Sequence, residues 1–404
     1  MWDYNKSTIM NLLFINDIPF NPQNGGIERV TDVLTKQLIK QYGYKVYYLS
    51  FCPDVSSAYN YPAQLFVLPQ TNNLDEKRRC VLELVRKYNV DIIVNQRGQE
   101  KWALDILPMN EVKIVNVIHS QPTAGIRRRL LTLCDYKPKT LVGKVRYILK
   151  IQLYPLVYYF YKTKESKVFS KIYQSLLETY DALVLLSDKY KNELQKLTQI
   201  KLANYNIVAI PNPNTFQRVE YNPELKENMI LYVGRLDKIE KAPLRLIKIW
   251  EKLYKKHPDW KLVLVGSGGY LDTMVSYVKR HHIDRVCFEG NQANVTYYYQ
   301  KASFICLTSN YEGWGMALTE GMQHGCIPVT FNSYGAASDI IEDGISGCLI
   351  PPFSVRKYAG RLSKLMRDEI RRAQMSYEAC EKVREFDSVN VVQKWDDLFK
   401  NVLK

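Results

Sequence analysis

The stretch Phe304–Val329, FICLTSNYEGWGMALTEGMQHGCIPV, decides how the rest of the chain is read. Phe304–Leu307 is an apolar run short enough for a strand buried on both faces. A loop rich in glycine and hydrogen-bonding side chains follows, then a short helix opening near Met316, then a second apolar strand at Cys326–Thr330. Gly313 and Gly315, flanking Trp314, let backbone N–H groups approach a ligand closely. The helix points its first amides to the same place, which suits an anion. Glu312 lies in the loop and Glu320 about one turn into the helix. Two carboxylates beside an anion site are self-defeating unless they accept hydrogen bonds from hydroxyls. A nucleotide sugar carries both phosphates and hydroxyls.

Outward from this stretch, the same strand–loop–helix grammar fills most of the 404 residues, the pattern of parallel β-α-β units. In the first half, strands are expected at Ile9–Ile15, Tyr44–Phe51, Leu65–Leu68, Asp91–Asn95, Lys113–His119, Ala182–Leu186 and Ile207–Ile210, with helices at Ile27–Gln41, Leu74–Tyr88 and Ser166–Tyr180. In the second half, strands are expected at Met229–Val233, Lys261–Val265, Val286–Phe288, Phe304–Leu307 and Cys326–Thr330. The helix Ala242–Lys256 carries Ile247, Trp250 and Tyr254 on one face. Pro211, Pro213 and Pro223, with three asparagines among them, mark a linker. The expected organisation is α/β, with a first Rossmann-like domain over 1–212, a second over 213–385, and a C-terminal helix over 386–404 packing back toward the first. A ligand is expected between the two domains at the strand C-termini.

Upstream of the opening stretch, Gly234-Arg235-Leu236 through Lys241 ends a strand and opens a helix. Arg235 and Lys241 could meet a diphosphate, the planar guanidinium through paired contacts. With Glu312-x7-Glu320 and the later segment Tyr334–Pro352, these motifs resemble the GT-B glycosyltransferases of the large retaining family 4, strongly over Ile230–Pro352 and weakly in the first domain. The resemblance implies that Glu320 binds the nucleotide ribose and that Arg235 and Lys241 neutralise the diphosphate. It also implies that Glu312 contacts the donor sugar, while the amides of Gly313–Met316 (Gly313, Trp314, Gly315, Met316) hold sugar and phosphate. Ala242 stands where the family usually has glycine, and Asp339 where glutamate is commoner.

In the first domain, Gly25-Gly26 follows the first strand and opens the first helix. In similar family members this loop borders donor phosphate and acceptor. His119 ends an apolar strand, and the matching family position contacts the donor sugar near the reacting carbon. A basic stretch follows directly. Between Ile126 and Lys171, twelve basic residues face only Asp135 and Glu165, so this segment carries +10 of the formal charge of +15. Arg127, Arg128, Arg129, Lys144, Arg146 and Lys150 lead it, interleaved with Tyr136, Tyr147, Tyr154, Tyr158, Tyr159, Phe160, Tyr161 and Phe169. Basic residues and aromatics together suit an anionic membrane surface. Nucleic acid is the rival reading of the charge, but no nucleic-acid motif is present. Ile148–Tyr161 contains Lys150 and Pro155 and is shorter than the roughly 20 apolar residues a spanning helix needs. The eight cysteines are scattered, without a C-x-x-C pair, and read as reduced thiols. The N-terminal residues lack a secretory pattern.

The expected function is retaining transfer of a hexose or N-acetylhexosamine from a nucleotide diphosphate sugar, a UDP-sugar by preference. The acceptor is a hydroxyl of a lipid-linked glycan in cell-surface polysaccharide synthesis. The expected place is cytoplasmic, at the inner face of the membrane, with no metal or other cofactor, since no Asp-x-Asp motif is present. The alternatives are a GT-B-like sugar-nucleotide epimerase or phosphorylase, and a non-catalytic binder.

Overall fold

A computed structural model describes residues 9–54, 59–69, 71–107, 110–135, 154–216 and 222–404. The chain divides into two compact units, one of Met1–Pro122, Ser166–Thr215 and Phe386–Lys404, the other of Thr123–Glu165 and Phe216–Glu385.

The first unit holds a seven-stranded sheet: β1 (Asn11–Asn16), β2 (Lys45–Ser50), β3 (Gln64–Val67), β4 (Ile92–Asn95), β5 (Lys113–Ile118), β6 (Ala182–Leu185) and β7 (Ile207–Ala209), in the order β3-β2-β1-β4-β5-β6-β7. Every pairing is parallel, with Leu12 level with both Val46 and Ile92. The strands are apolar on both faces because helices cover both sides. One side of the core joins Leu12, Phe14, Val46, Tyr48, Val94 and Val117 to Leu34 and Leu38 of the helix Gly26–Tyr42. The helix Ser388–Val402 completes that side with Val391, Val392, Trp395, Leu398, Phe399 and Val402, spaced three and four apart on one stripe. Each such side chain contributes about 2 kcal/mol of apolar burial. The stripe is pinned by Asp396, fully buried, which accepts from the Tyr44 hydroxyl and from Lys400 Nζ at 2.7 Å.

The second unit repeats the plan with six parallel strands: β8 (Glu227–Val233), β9 (Lys261–Val265), β10 (Val286–Gly290), β11 (Ala302–Cys306), β12 (Ile327–Phe331) and β13 (Cys348–Ile350), in the order β10-β9-β8-β11-β12-β13. β13 was not expected; three residues between a turn and Pro351 are too few to show a period. The expected helix Ala242–Lys256 is regular over Leu244–Trp250 and continues as turns, with Ile247, Trp250 and Tyr254 buried.

The expected first domain kept the basic stretch, but Thr123–Glu165 groups with the second unit. The physical reason is the helix Ala124–Asp135, whose Arg127 Nη1 donates to the carbonyls of Ser333 at 2.8 Å and Asn310 at 3.3 Å. The helix expected to start at Ser166 already runs from Tyr154 to Thr179. Pro155 sits in its first turn, where the missing N–H removes no helical bond. Among the described residues, no helix is long and apolar enough to cross a membrane.

Candidate functional site

In each sheet the strand order reverses beside the strand that comes first, between β1 and β4 and between β8 and β11. Loops leaving the C-terminal ends there diverge, and doubly wound sheets hold ligands at that point. Gly25 and Gly26 follow β1, Arg235 and Lys241 follow β8 and Glu312–Gly315 follow β11, whereas His119 follows β5 and Glu320 lies in the helix after the β11 loop.

In the second unit, Gly234–Pro243 follows β8 and Leu307–Gly315 follows β11. Asn310 ties the two together: its N–H donates to the Glu240 carbonyl at 2.8 Å and its side chain to the Ile239 carbonyl at 2.7 Å. Thr308 Oγ1 donates to the Ala242 carbonyl at 3.1 Å. Arg245 braces the second loop from below, donating to the Thr308 carbonyl at 2.6 Å and to Asn310 Oδ1 at 2.9 Å. Held this way, Lys241 Nζ donates to Glu312 Oε2 at 2.7 Å and Oε1 at 2.8 Å, and lies 3.2 Å from Glu240 Oε1. Ser309 Oγ donates to Glu312 Oε1 at 2.6 Å. Arg235 Nη2 meets Glu240 Oε2 at 2.9 Å and is two-thirds exposed. Burial works against the Lys241 charge, but the Glu312 and Glu240 carboxylates more than offset it, so its pKa lies above that of an ordinary lysine. The unit therefore presents an obligate ammonium, clamped by a buried carboxylate, beside an exposed guanidinium.

The backbone around this pair is tight. Gly266 and Gly268, in the loop after β9, have φ of 136° and 156°. A Cβ at Gly266 would stand 2.0 Å from the Gly234 carbonyl oxygen, and one at Gly268 would stand 2.3 Å from that of Leu236. Sequence reasoning passed over Gly266-Ser-Gly-Gly269, although a glycine cluster after a strand is visible in the chain. It also passed over Arg245, whose role shows only in space. Gly315 begins the helix Met316–Gln323 at φ 99°, with no side chain capping the first turn. Glu312 and Trp314 are buried, while Gly313 and Met316 are half-buried. Glu320 is 3% exposed and accepts from the Tyr299 hydroxyl at 2.9 Å, so this carboxylate already holds a hydroxyl donor of the protein.

In the first unit the site residues are neutral and amide-rich. His119 follows β5. Its Nε2 pairs with Gln96 Oε1, and its Nδ1 is buried with no partner. The assignment in which Nε2–H donates leaves Nδ1 a bare acceptor. Burial, aided by the Arg97 guanidinium, pushes the His119 pKa down to about 3, so the ring is neutral near pH 7. Gly25 precedes the helix Gly26–Tyr42 in extended backbone, and a Cβ there would stand 2.6 Å from Glu28 Oε2. The space beside Gly25 thus accommodates Glu28, a buried carboxyl whose Oε1 accepts from Asn16 Nδ2 at 2.8 Å. Burial raises the Glu28 pKa above the usual carboxylate range.

The basic stretch is less free than its charge suggests. Arg127 Nη1 is committed to the two carbonyls above. Arg129 pairs with Glu165. Arg128, Lys162, Lys164, Lys167 and Lys171 are exposed. Tyr159 and Phe160 are 66% and 64% exposed on the helix Tyr154–Thr179. Lys144, Arg146 and Lys150 lie outside the described residues.

Two doubly wound parallel sheets of like strand order, in a chain whose solved likenesses share them along their whole length, define a GT-B α/β fold. Residues 213–382 match the model of the family described as Glycosyl transferases group 1. An uncharacterized glycosyltransferase of Haemophilus influenzae is 29% identical over 218 residues, 54% of this chain and 60% of that protein. A Campylobacter jejuni protein named GalNAc-alpha-(1->4)-GalNAc-alpha-(1->3)-diNAcBac-PP-undecaprenol alpha-1,4-N-acetyl-D-galactosaminyltransferase is 29% identical over 178 residues, 44% of this chain and 49% of that one. The chain thus spans about half to three-fifths of the length of these curated relatives. HepE of Anabaena, solved with UDP and glucose, superposes with a TM-score of 0.71 at 15% identity, covering 97% of this chain and 100% of that one.

Proposed function

We propose that this chain is a glycosyltransferase of bacterial glycan synthesis. It moves a hexose or N-acetylhexosamine from a UDP-sugar to a hydroxyl of a lipid-linked glycan, with retention of the anomeric configuration. The observation that carries this reading is the Lys241–Glu312 pair with Arg235 alongside, set at the reversal point of the second sheet and within the segment that matches the family. A nucleotide diphosphate needs fixed positive charge where its leaving-group charge develops, and Arg235 and Lys241 supply it without reorganisation. Lys241 has its weakest bond to Glu240, the contact a phosphate oxygen would replace, while Glu312 keeps the ammonium in place and faces the donor sugar. In the transfer, the acceptor oxygen bonds to the anomeric carbon as the carbon–phosphate oxygen bond breaks, and the acceptor's proton passes to the leaving phosphate. No metal takes part in this scheme.

The lipid-linked acceptor draws on the PP-undecaprenol in the name of the Campylobacter relative. Placement at the cytoplasmic face of a membrane draws on the exposed Tyr159 and Phe160 beside Lys162, Lys164 and Lys167. Each basic side chain near an anionic bilayer contributes about 1 kcal/mol. Calorimetric titration with UDP tests the donor site: Arg235→Ala weakens binding about tenfold or more, and unchanged affinity in both Arg235→Ala and Glu320→Ala sinks the assignment. Product NMR reads the anomeric configuration, turnover in a chelator reads metal dependence, and sedimentation with neutral and anionic vesicles reads the membrane claim.

A further inference from the structure

The first sheet has its own reversal point, between β1 and β4, and the side chains there do not belong to the donor machinery described so far. We infer that Arg97, on the loop after β4, is an anion receptor that takes a phosphate or carboxylate group of the acceptor through its two terminal guanidinium nitrogens. The inference rests on the transfer reading for the word acceptor; the receptor itself rests on the geometry of the first unit.

Arg97 is held by one edge only. Its Nε donates to Asp17 Oδ1 at 2.6 Å and to Asn16 Oδ1 at 3.1 Å, both at the end of β1. Nη1 and Nη2 have no partner among the described residues, and the side chain is 29% exposed. An arginine anchored through Nε has its plane fixed and its fork turned away from the anchor, which is the arrangement that binds an oxyanion through two parallel bonds.

The support beneath it is rigid. Asn95 Oδ1 accepts from the Arg97 N–H at 3.1 Å, and Asn95 Nδ2 donates to Asn116 Oδ1 at 2.6 Å. Asn116 Nδ2 in turn reaches the Gly98 carbonyl at 3.1 Å. A Cβ at Gly98 would stand within 3 Å of Asn116 Nδ2, the Val117 carbonyl and Ile118, so the turn packs against β5 with no slack. Three buried asparagines thus serve to orient one guanidinium and its loop. Such a polar core costs free energy to bury unless each group is satisfied.

The surroundings suit an anion with hydroxyls nearby. Gln96, the residue before Arg97, orients His119, whose Nδ1 is the one buried imidazole atom of the unit left without a partner. That acceptor cannot bind the anion itself, but it takes a hydroxyl hydrogen. Asp17 is the opposing charge; it uses only the Nε edge and is itself one-third exposed. Glu28, the other acid nearby, is drawn toward its neutral form by burial. A phosphorylated or carboxylated sugar, with an oxyanion for Arg97 and a hydroxyl for His119, matches these two features together.

The test uses the full chain with UDP saturating the second unit, and inorganic pyrophosphate and L-malate as separate calorimetric probes. Wild-type protein binds at least one of them. Arg97→Met weakens that binding about tenfold or more, and Arg97→Lys gives an intermediate loss because it keeps the charge without the fork. The probe that responds tells phosphate from carboxylate. UDP affinity stays at the wild-type value in both variants. Equal affinity for both probes in wild type and Arg97→Lys, with UDP still bound, overturns the receptor, and this arm decides even if Arg97→Met folds poorly. Should UDP fail to bind wild type while pyrophosphate binding still depends on Arg97, the receptor stands and the donor reading falls.

Discussion

The two units share one strand order yet furnish their reversal points with opposite chemistry. In the second unit the working groups are charged and mutually paired: Lys241 with Glu312 and Glu240, Arg235 with Glu240. In the first they are mostly amides and a neutral imidazole, with a single guanidinium paired to Asp17. On the proposed reading, the difference follows from what each loop does. A diphosphate leaving group accumulates charge, and fixed counter-charge is the efficient answer. A hydroxyl to be recognised needs oriented neutral donors and acceptors, for which a buried charge would be a penalty.

The strongest way to break this contrast is to remove a charge from the second unit. Lys241→Met removes the ammonium that pairs with the buried Glu312 carboxylate and costs about 3 kcal/mol in urea unfolding. The double variant Lys241→Met/Glu312→Gln recovers most of that loss while transfer stays abolished. If the double variant costs the sum of the two singles, the pair is not coupled.

Acid probes the neutral side. The folded His119 pKa of about 3 lies below the ordinary 6.5, so the unfolded chain binds the extra proton first as pH falls. Stability from this group is complete above about pH 6.5 and declines from there toward pH 3. Between pH 7 and 5 the decline attributable to His119 is about 2 kcal/mol. It is read as the difference between wild type and His119→Gln in denaturant titrations at the two values. An identical pH dependence in both proteins sinks it.

A smaller effect tests the buried carboxylate of the second unit. Tyr299→Phe deletes the hydroxyl donor to Glu320 and lowers stability by about 1 kcal/mol, seen in the thermal midpoint. Smallest is Ala242→Gly. Ala242 sits at φ 46°, in the left-handed region, directly after Lys241. Glycine removes a steric penalty of about 1 kcal/mol, partly offset by its looser unfolded state, for a net gain of about 0.5 kcal/mol. A net loss would show that the Ala242 methyl packs well enough to outweigh its backbone.

Ala242 also shows how legible the chain was. Its departure from the family's glycine was visible in the sequence, whereas the positive φ that explains the preference was not. The strands were legible because burial on both faces leaves an uninterrupted apolar run, as in Lys261–Val265, where expectation and structure coincide. β13 escaped because a three-residue strand carries no period. Lys241, Glu312 and Arg235 could be found because their spacing is local to two loops. Arg97, Arg245 and Tyr299 could not, since an isolated arginine or tyrosine outside any motif has no signature. The charge of the basic stretch was legible in amount but not in use, since Arg127 bonds to backbone carbonyls and Arg129 to Glu165.

The helix Ser388–Val402 closes the core of the unit that begins the chain. A ribosome delivers β1 to β7 long before it delivers Trp395 and Phe399. The apolar side of the first sheet, with the helix Gly26–Tyr42 already on it, therefore stays incompletely covered while the 170 residues Phe216–Glu385 are made. Of the two halves, the one translated first is the one that matures last.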